Sequence, residues 1–156
     1  YLEEITAYAN ERLERMSEGR YRIQLNDNYR KGNAYAGLEL EILDAYTGKA
    51  RPSATLSGGE TFMTSISLAL GLADSIQSRS GGIQLDAVFI DEGFGSLDES
   101  SLERAITILD EIRDSRMVGL ISHVGELRNR IPNRIEVIKT VAGSSIRKEM
   151  NTQGES

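Results

Sequence analysis

The sequence predicts an α/β domain built round a small parallel sheet, and three observations carry that prediction. Ala87-Val88-Phe89-Ile90, closing on Asp91, and Met117 to Ile121 are continuous apolar runs, the pattern of strands buried on both faces. A helical stretch from Glu99 to Asp114 lies between them, and strand, helix, strand in succession indicates a right-handed βαβ unit with strands 87 to 91 and 117 to 122 adjacent and parallel. Ahead of this unit, short alternating runs add antiparallel strands with one wet face.

Taken in order, residues 1 to 18 place Leu2, Ile5, Ala9, Leu13 and Met16 at three- and four-residue spacings among Glu and Arg, with Gly19 where a helix would stop. This is an amphipathic helix with no capping residue ahead of it, as expected of a chain that begins inside a longer helix or coiled coil. Tyr21, Ile23 and Leu25 alternate with polar residues; after the turn-rich Asn26-Asp27-Asn28, Leu38, Leu40 and Ile42 face away from Glu39 and Glu41. A Gly, Pro, Ser and Thr loop from Thr47 to Thr55 leads to Leu56-Ser57-Gly58-Gly59-Glu60 and a helix from about Thr61 to Ser78, which Gly81-Gly82 ends. Beyond the βαβ unit, Arg134 to Val141 and Ser144 to Lys148 read as further strands, and 151 to 156 as a polar tail.

A chain of 156 residues suits one domain. With 39% apolar and 27% charged residues and no apolar run near the roughly 18 residues of a membrane span, it reads as soluble, with no membrane partner. It has no cysteine, and its N-terminus does not resemble a secretory signal, so a reducing, cytoplasmic setting is expected. A formal charge of −6 argues against general affinity for nucleic acid, so any DNA contact is local or lies elsewhere.

Four places carry candidate chemistry. In Ser57-Gly58-Gly59-Glu60 the glycines permit close approach of backbone to a ligand, and free N–H groups at a helix start suit a phosphate; the same S-x-x-E spacing also describes a capping box. Asp91 and Glu92 close a buried strand where open α/β sheets place their ligands. The first carboxylate suits Mg²⁺ and the second the orientation of an attacking water, or both are solvated loop residues. Asp98 precedes a helix and suits its N-cap; His123, the only histidine, ends the neighbouring strand at about the same sheet edge as Asp91 and could donate to a transferring phosphate.

Together, LSGGE, VFIDE, SLD and a strand ending in His resemble, in that order, the C-terminal lobe of an ATP-binding-cassette (ABC) head of the P-loop NTPase type. The resemblance implies that Asp91 serves Mg²⁺, Glu92 activates water, Asp98 lies in the loop crossing a dimer interface, and His123 is the switch histidine near the γ-phosphate. It also implies that Ser57, Gly58, Gly59 and Glu60 form the signature, with Ser57 and Gly59 contacting ATP held by the opposite subunit. Asp91-Glu92-Gly93-Phe94-Gly95-Ser96-Leu97-Asp98 is most similar to the SbcC-type repair ATPases, an SMC-like family, and Glu60 in place of the transporters' Gln agrees.

In that family the two ends of a long chain fold into one head at the base of an antiparallel coiled coil. The head dimerises with ATP, partners a metal-dependent nuclease of the SbcD type and processes DNA ends in double-strand-break repair. On this resemblance residues 1–18 are the coiled-coil root, next to the nuclease dock, and 19–150 the ATPase lobe. No G-x-x-x-x-G-K-[ST] is present: Gly48-Lys49 is followed by Ala50 and has no glycine five residues earlier, so it reads as a turn. The phosphate loop is expected in an upstream half, and this chain alone is expected to be inactive. A chromosome-organising SMC-type ATPase and a non-catalytic scaffold lobe are the alternative readings.

Overall fold

The computed structural model of the chain describes residues 1–26, 40–79, 85–131 and 133–150. Leu38, the Asp27-Asn28 turn, Gly81-Gly82 and the 151–156 tail lie outside the described residues. Two compact units are present, Tyr1–Ile121 and Ser122–Ser156.

In the first unit, α1 (Leu2–Met16) buries Ile5, Ala9, Leu13 and Met16 of the stripe its spacing predicts and leaves Leu2 half-buried at its start. Burial of side chains such as Leu13 and Met16 stabilises by roughly 1.5–3 kcal/mol each. Glu18 (φ 54°) and Gly19 (φ 77°) then turn the chain through two left-handed residues into β1 (Tyr21–Leu25). Asn10, buried on α1, donates through Nδ2 to the Ile23 carbonyl (2.9 Å) and accepts from its N–H (2.7 Å). One amide thus satisfies both backbone groups of a residue in β1.

β1 pairs antiparallel with β2 (Leu40–Asp44), and β2 with β3 (Lys49–Pro52), in the order β1-β2-β3. Residues 49–52, expected within a loop, are thus a strand, and a 3-10 turn at Ser53–Thr55 follows them. Gly48 (φ 64°) makes the β2-β3 turn, donating to the Asp44 carbonyl at 2.8 Å, so of Gly48-Lys49, read as a turn, Gly48 lies in it and Lys49 opens β3.

α2 (Gly58–Arg79) begins three residues before the expected Thr61 and lies along α1. At the crossing, a Cβ on Gly71 would stand 2.7 Å from the Ile5 carbonyl oxygen and 2.8 Å from the Ala9 nitrogen, so the two backbones touch.

β4 (Ala87–Asp91) and β5 (Met117–Ile121) pair in parallel, Ala87 opposite Met117 and Asp91 opposite Ile121, with α3 (Glu99–Arg113) as the crossover. α3 buries Leu102, Ala105, Ile106, Ile108, Leu109 and Ile112, and packs on α1 and β5. The register puts Phe89, Met117 and Ile121 on one face of this sheet, and they are 71%, 60% and 56% exposed.

The second unit holds a short helix, α4 (Gly125–Arg130), and one antiparallel hairpin, β6 (Arg134–Thr140) with β7 (Gly143–Glu149). The two strands expected here are therefore partners, with Val141 in the turn rather than the strand. No helix among the described residues is long and apolar enough to cross a membrane.

Candidate functional site

At the N-terminus of α2 the reciprocal cap expected from S-x-x-E forms. The Ser57 N–H donates to Glu60 Oε2 at 2.8 Å, and the Glu60 N–H to Ser57 Oγ at 3.4 Å. Glu60 also accepts from the Tyr21 hydroxyl (2.5 Å) and pairs with Arg51 of β3 (2.8 Å). Burial pushes the Glu60 carboxyl up, but hydrogen bonds from the Tyr21 hydroxyl, the Ser57 N–H and Arg51 outweigh it and bring the pKa down to about 2. Burial, together with the bond to Glu60, raises the Tyr21 phenol to about 12. Neither Tyr21 nor Arg51 is a candidate on sequence grounds; they reach Glu60 from β1 and β3, and the pairing of those strands through β2, which no local spacing signals, brings them there.

The two glycines have a neighbour that needs them. A Cβ on Gly59 would stand 2.8 Å from the Ser96 carbonyl oxygen, and one on Gly58 3.2 Å from the Ser96 Cβ. The close approach they permit is thus to the loop after β4.

That loop starts from a sharp reversal. Asp91 ends β4, and Glu92 (φ 58°) and Gly93 (φ 96°) are both left-handed. The Glu92 N–H donates to the Ile121 carbonyl at 2.8 Å, which fixes the turn to the end of β5. A non-glycine residue in this region stores of order 1–3 kcal/mol and persists only where its surroundings hold it. Here the holder on the other side is Phe94, fully buried and packed edge-on against Phe62 of α2 with centroids 4.7 Å apart. Sequence spacing gives no signal for this aromatic pair.

Asp98 is the N-cap of α3, as expected, and accepts from the Ser100 hydroxyl (2.7 Å), the Ser101 N–H (2.9 Å) and the Ser101 hydroxyl (2.8 Å). These bonds, the Ser100 hydroxyl first, hold its carboxyl well below the usual range.

The structure brings Ser57, Gly59, Glu60 and Asp98 to the wall of one cavity of ≈ 450 Å³, with Ser96 and Arg104 also lining it. Asp91 and Glu92 stand at the carboxyl end of β4, at the start of the same loop. His123 belongs to the second unit, between β5 and α4, and not to the unit that holds the cavity. What the first unit offers chemically is an exposed carboxylate pair on a pinned turn, and a capped helix start beside a polar hollow.

A family model described as "SbcC/RAD50-like, Walker B motif" matches residues 28–111. The chain is 68% identical over 147 residues to the SbcC subunit of the SbcCD nuclease of Treponema pallidum (strain Nichols), covering 94% of this chain and 14% of that protein. It therefore spans only a small share of its relative's length. Solved structures share its fold, among them the following two. "Structural biochemistry of ATP-driven dimerization and DNA stimulated activation of SMC ATPases" has a TM-score of 0.70 at 18% identity, covering 94% of this chain and 83% of that one. The Smc head domain with an extended coiled coil bound to the C-terminal domain of ScpA, from Pyrococcus furiosus, has a TM-score of 0.73 at 16% identity, covering 96% and 35%. At such identities the likeness shows the α/β head fold alone.

Proposed function

The chain belongs to the SbcC/RAD50-like, Walker B motif family, and from that premise we propose that it is the C-terminal half of the ATPase subunit of a nuclease complex processing DNA ends in double-strand-break repair. In the intact protein, ATP drives two heads together and its hydrolysis releases them; the relative named as part of a nuclease and the fold neighbour described by ATP-driven dimerization support this reading.

One observation carries the assignment of roles: Asp91 ends a parallel strand and Glu92 turns away from it in a held, left-handed conformation. Glu92 then orients and deprotonates the attacking water, a role that requires a carboxylate whose position its backbone fixes. Asp91 fits Mg²⁺, which takes one or two carboxylates and completes its shell with phosphate oxygens and water. When bound, the ion neutralises charge developing on the phosphoryl oxygens. Ser57 and Gly59, at the N-terminus of α2, present a hydroxyl and backbone donors to the nucleotide of the opposite head. Asp98 shapes the loop that meets the dimer partner, and His123 donates to the γ-phosphate.

The upstream half of the same protein, with the phosphate loop, completes the site. The exposed face of Phe89, Met117 and Ile121 supports this, because parallel sheets are covered on both faces. A metal-dependent nuclease of the SbcD type and DNA are the remaining partners in this reading.

The test is reconstitution. This chain alone should not turn over ATP, its mixture with the upstream half should, and Glu92→Gln should lower that turnover by a factor of about 10² or more. Turnover that survives Glu92→Gln sinks the assigned role.

A further inference from the structure

The end of α1 is wired to both loops on the cavity wall. From one side, Arg104 of α3 donates three ways: Nε to the Met16 carbonyl (2.8 Å), Nη1 to Glu18 (3.1 Å) and Nη2 to the Ser101 hydroxyl (3.0 Å). Ser101 donates its own hydroxyl proton to Asp98 at 2.8 Å. From the other side, the Tyr21 N–H donates to the Ser17 hydroxyl (3.0 Å) and the Tyr21 hydroxyl to Glu60 (2.5 Å), whose second oxygen accepts from the Ser57 N–H at 2.8 Å. Two intermediaries separate the α1 terminus from Asp98, and two separate it from Ser57.

The origin of both relays, Met16 to Gly19, contains the left-handed pair Glu18 and Gly19. A left-handed glutamate is uphill and must be held, and the Arg104 fork is one of the groups that hold it. The fork is planar and rigid, so its three acceptors keep it only while α1 and α3 hold one relative setting. If α1 turns or slides by about 1 Å, the bonds to Met16 and Glu18 cannot both persist with the bond to Ser101.

We infer that Arg104 and Tyr21 are positioning residues through which the setting of α1 fixes the Asp98 loop and the Ser57 corner together. The inference rests on the proposed function, in which those two places meet the nucleotide and the head of a second subunit. It adds that movement of the helix leading into the head is read at both places at once, because both relays begin in the same four residues. Arg104 touches no reacting atom, and acts only through Ser101 and Asp98.

Arg104→Ala, Arg104→Lys and Tyr21→Phe in the full parent protein test this, with Glu92→Gln as control. Turnover and the nucleotide affinity of separated heads, read with a fluorescent ATP analogue, are both measured. Misplacement of groups by about an ångström predicts that Arg104→Ala lowers kcat between about ten- and a hundredfold. Arg104→Lys should fall nearly as far, since an ammonium cannot span three acceptors in a plane, and Tyr21→Phe should fall several-fold. Nucleotide affinity should stay within about twofold, because the upstream half supplies it.

A purely structural role would instead lower the folded fraction and leave the kcat of the folded protein unchanged, which overturns the inference. So does a fall in affinity that matches the fall in kcat. If Arg104→Ala does not fold, Arg104→Lys and Tyr21→Phe decide, and wild-type kcat in both refutes the relay. Wild-type kcat in these variants while Glu92→Gln is silent sinks the relay alone; an active Glu92→Gln sinks the reading beneath it.

Discussion

Glu60→Gln isolates the electrostatic content of the α2 corner without changing its shape. The carboxylate accepts from Tyr21 and Ser57 and pairs with Arg51, and its side chain is only 16% exposed. Lowering its pKa from 4.5 to about 2 corresponds to roughly 3 kcal/mol of preference for the charged form in the folded state. The folded pKa is the depressed one, so the unfolded chain binds more protons between pH 2 and 4.5. The stabilisation is therefore complete above pH 4.5 and drains away as pH falls towards 2. An amide keeps one acceptor and turns a donor towards the remaining partners, so at pH 7 the variant should lose about 2–3 kcal/mol. Between pH 7 and pH 3 wild type should lose about 2 kcal/mol more than the variant, since only wild type has this group to protonate. Asp98, Asp44, Glu4 and Glu111 are also depressed, but they titrate in both proteins and cancel in the difference. Urea unfolding at the two pH values reads both quantities. Equal losses between the two pH values, or a variant within about 0.5 kcal/mol of wild type at pH 7, would refute the reasoning.

Gly93→Ala should lower stability by about 2 kcal/mol or more, and Tm by roughly 4–8 °C, since its φ is +96° and a Cβ would stand 2.5 Å from Cε2 of Phe62. Gly71→Ala places a methyl against the Ile5 and Ala9 backbones, which cannot rotate aside. It should cost about 1–3 kcal/mol and, by moving α1, speed amide exchange at Ile23, whose N–H depends on Asn10. Ser57→Ala should cost under about 1 kcal/mol because its cap bond is long at 3.4 Å, whereas Asp98→Ala, which breaks three bonds, should cost about 1–2 kcal/mol; denaturant midpoints of the pair test the order.

What the sequence made legible is what one element decides alone. The α1 stripe, the paired apolar runs of β4 and β5, the Ser57–Glu60 box and the Asp98 cap all follow from residues within a few positions of one another. β3 was not legible, because Lys49-Ala50-Arg51-Pro52 has no apolar alternation and ends in proline; its stability comes from pairing with β2 rather than from burial. α4 was missed for a similar reason: it is a six-residue helix with one buried side chain, Leu127, and too short to show a period. The need for Gly58 and Gly59 depends on Ser96, and the state of Glu60 on Tyr21 and Arg51, contacts that only the folded chain assembles.

The structural and functional readings of the capping residues are therefore compatible, and the hydrogen bonds indicate how they divide. The Asp98 carboxylate accepts three bonds from Ser100 and Ser101, close to the roughly four acceptor sites a carboxylate offers. In the proposed reading the Asp98 loop acts across an interface through the backbone shape that this cap imposes, and direct ligation by the carboxylate would compete with the three cap bonds. Ser57 is the reverse case: among the described residues its hydroxyl accepts one long bond and keeps its proton for another acceptor. In the proposed reading, the residue whose cap is weaker keeps a hydroxyl able to meet a phosphate oxygen, and the residue whose cap is stronger holds the loop in place beside it.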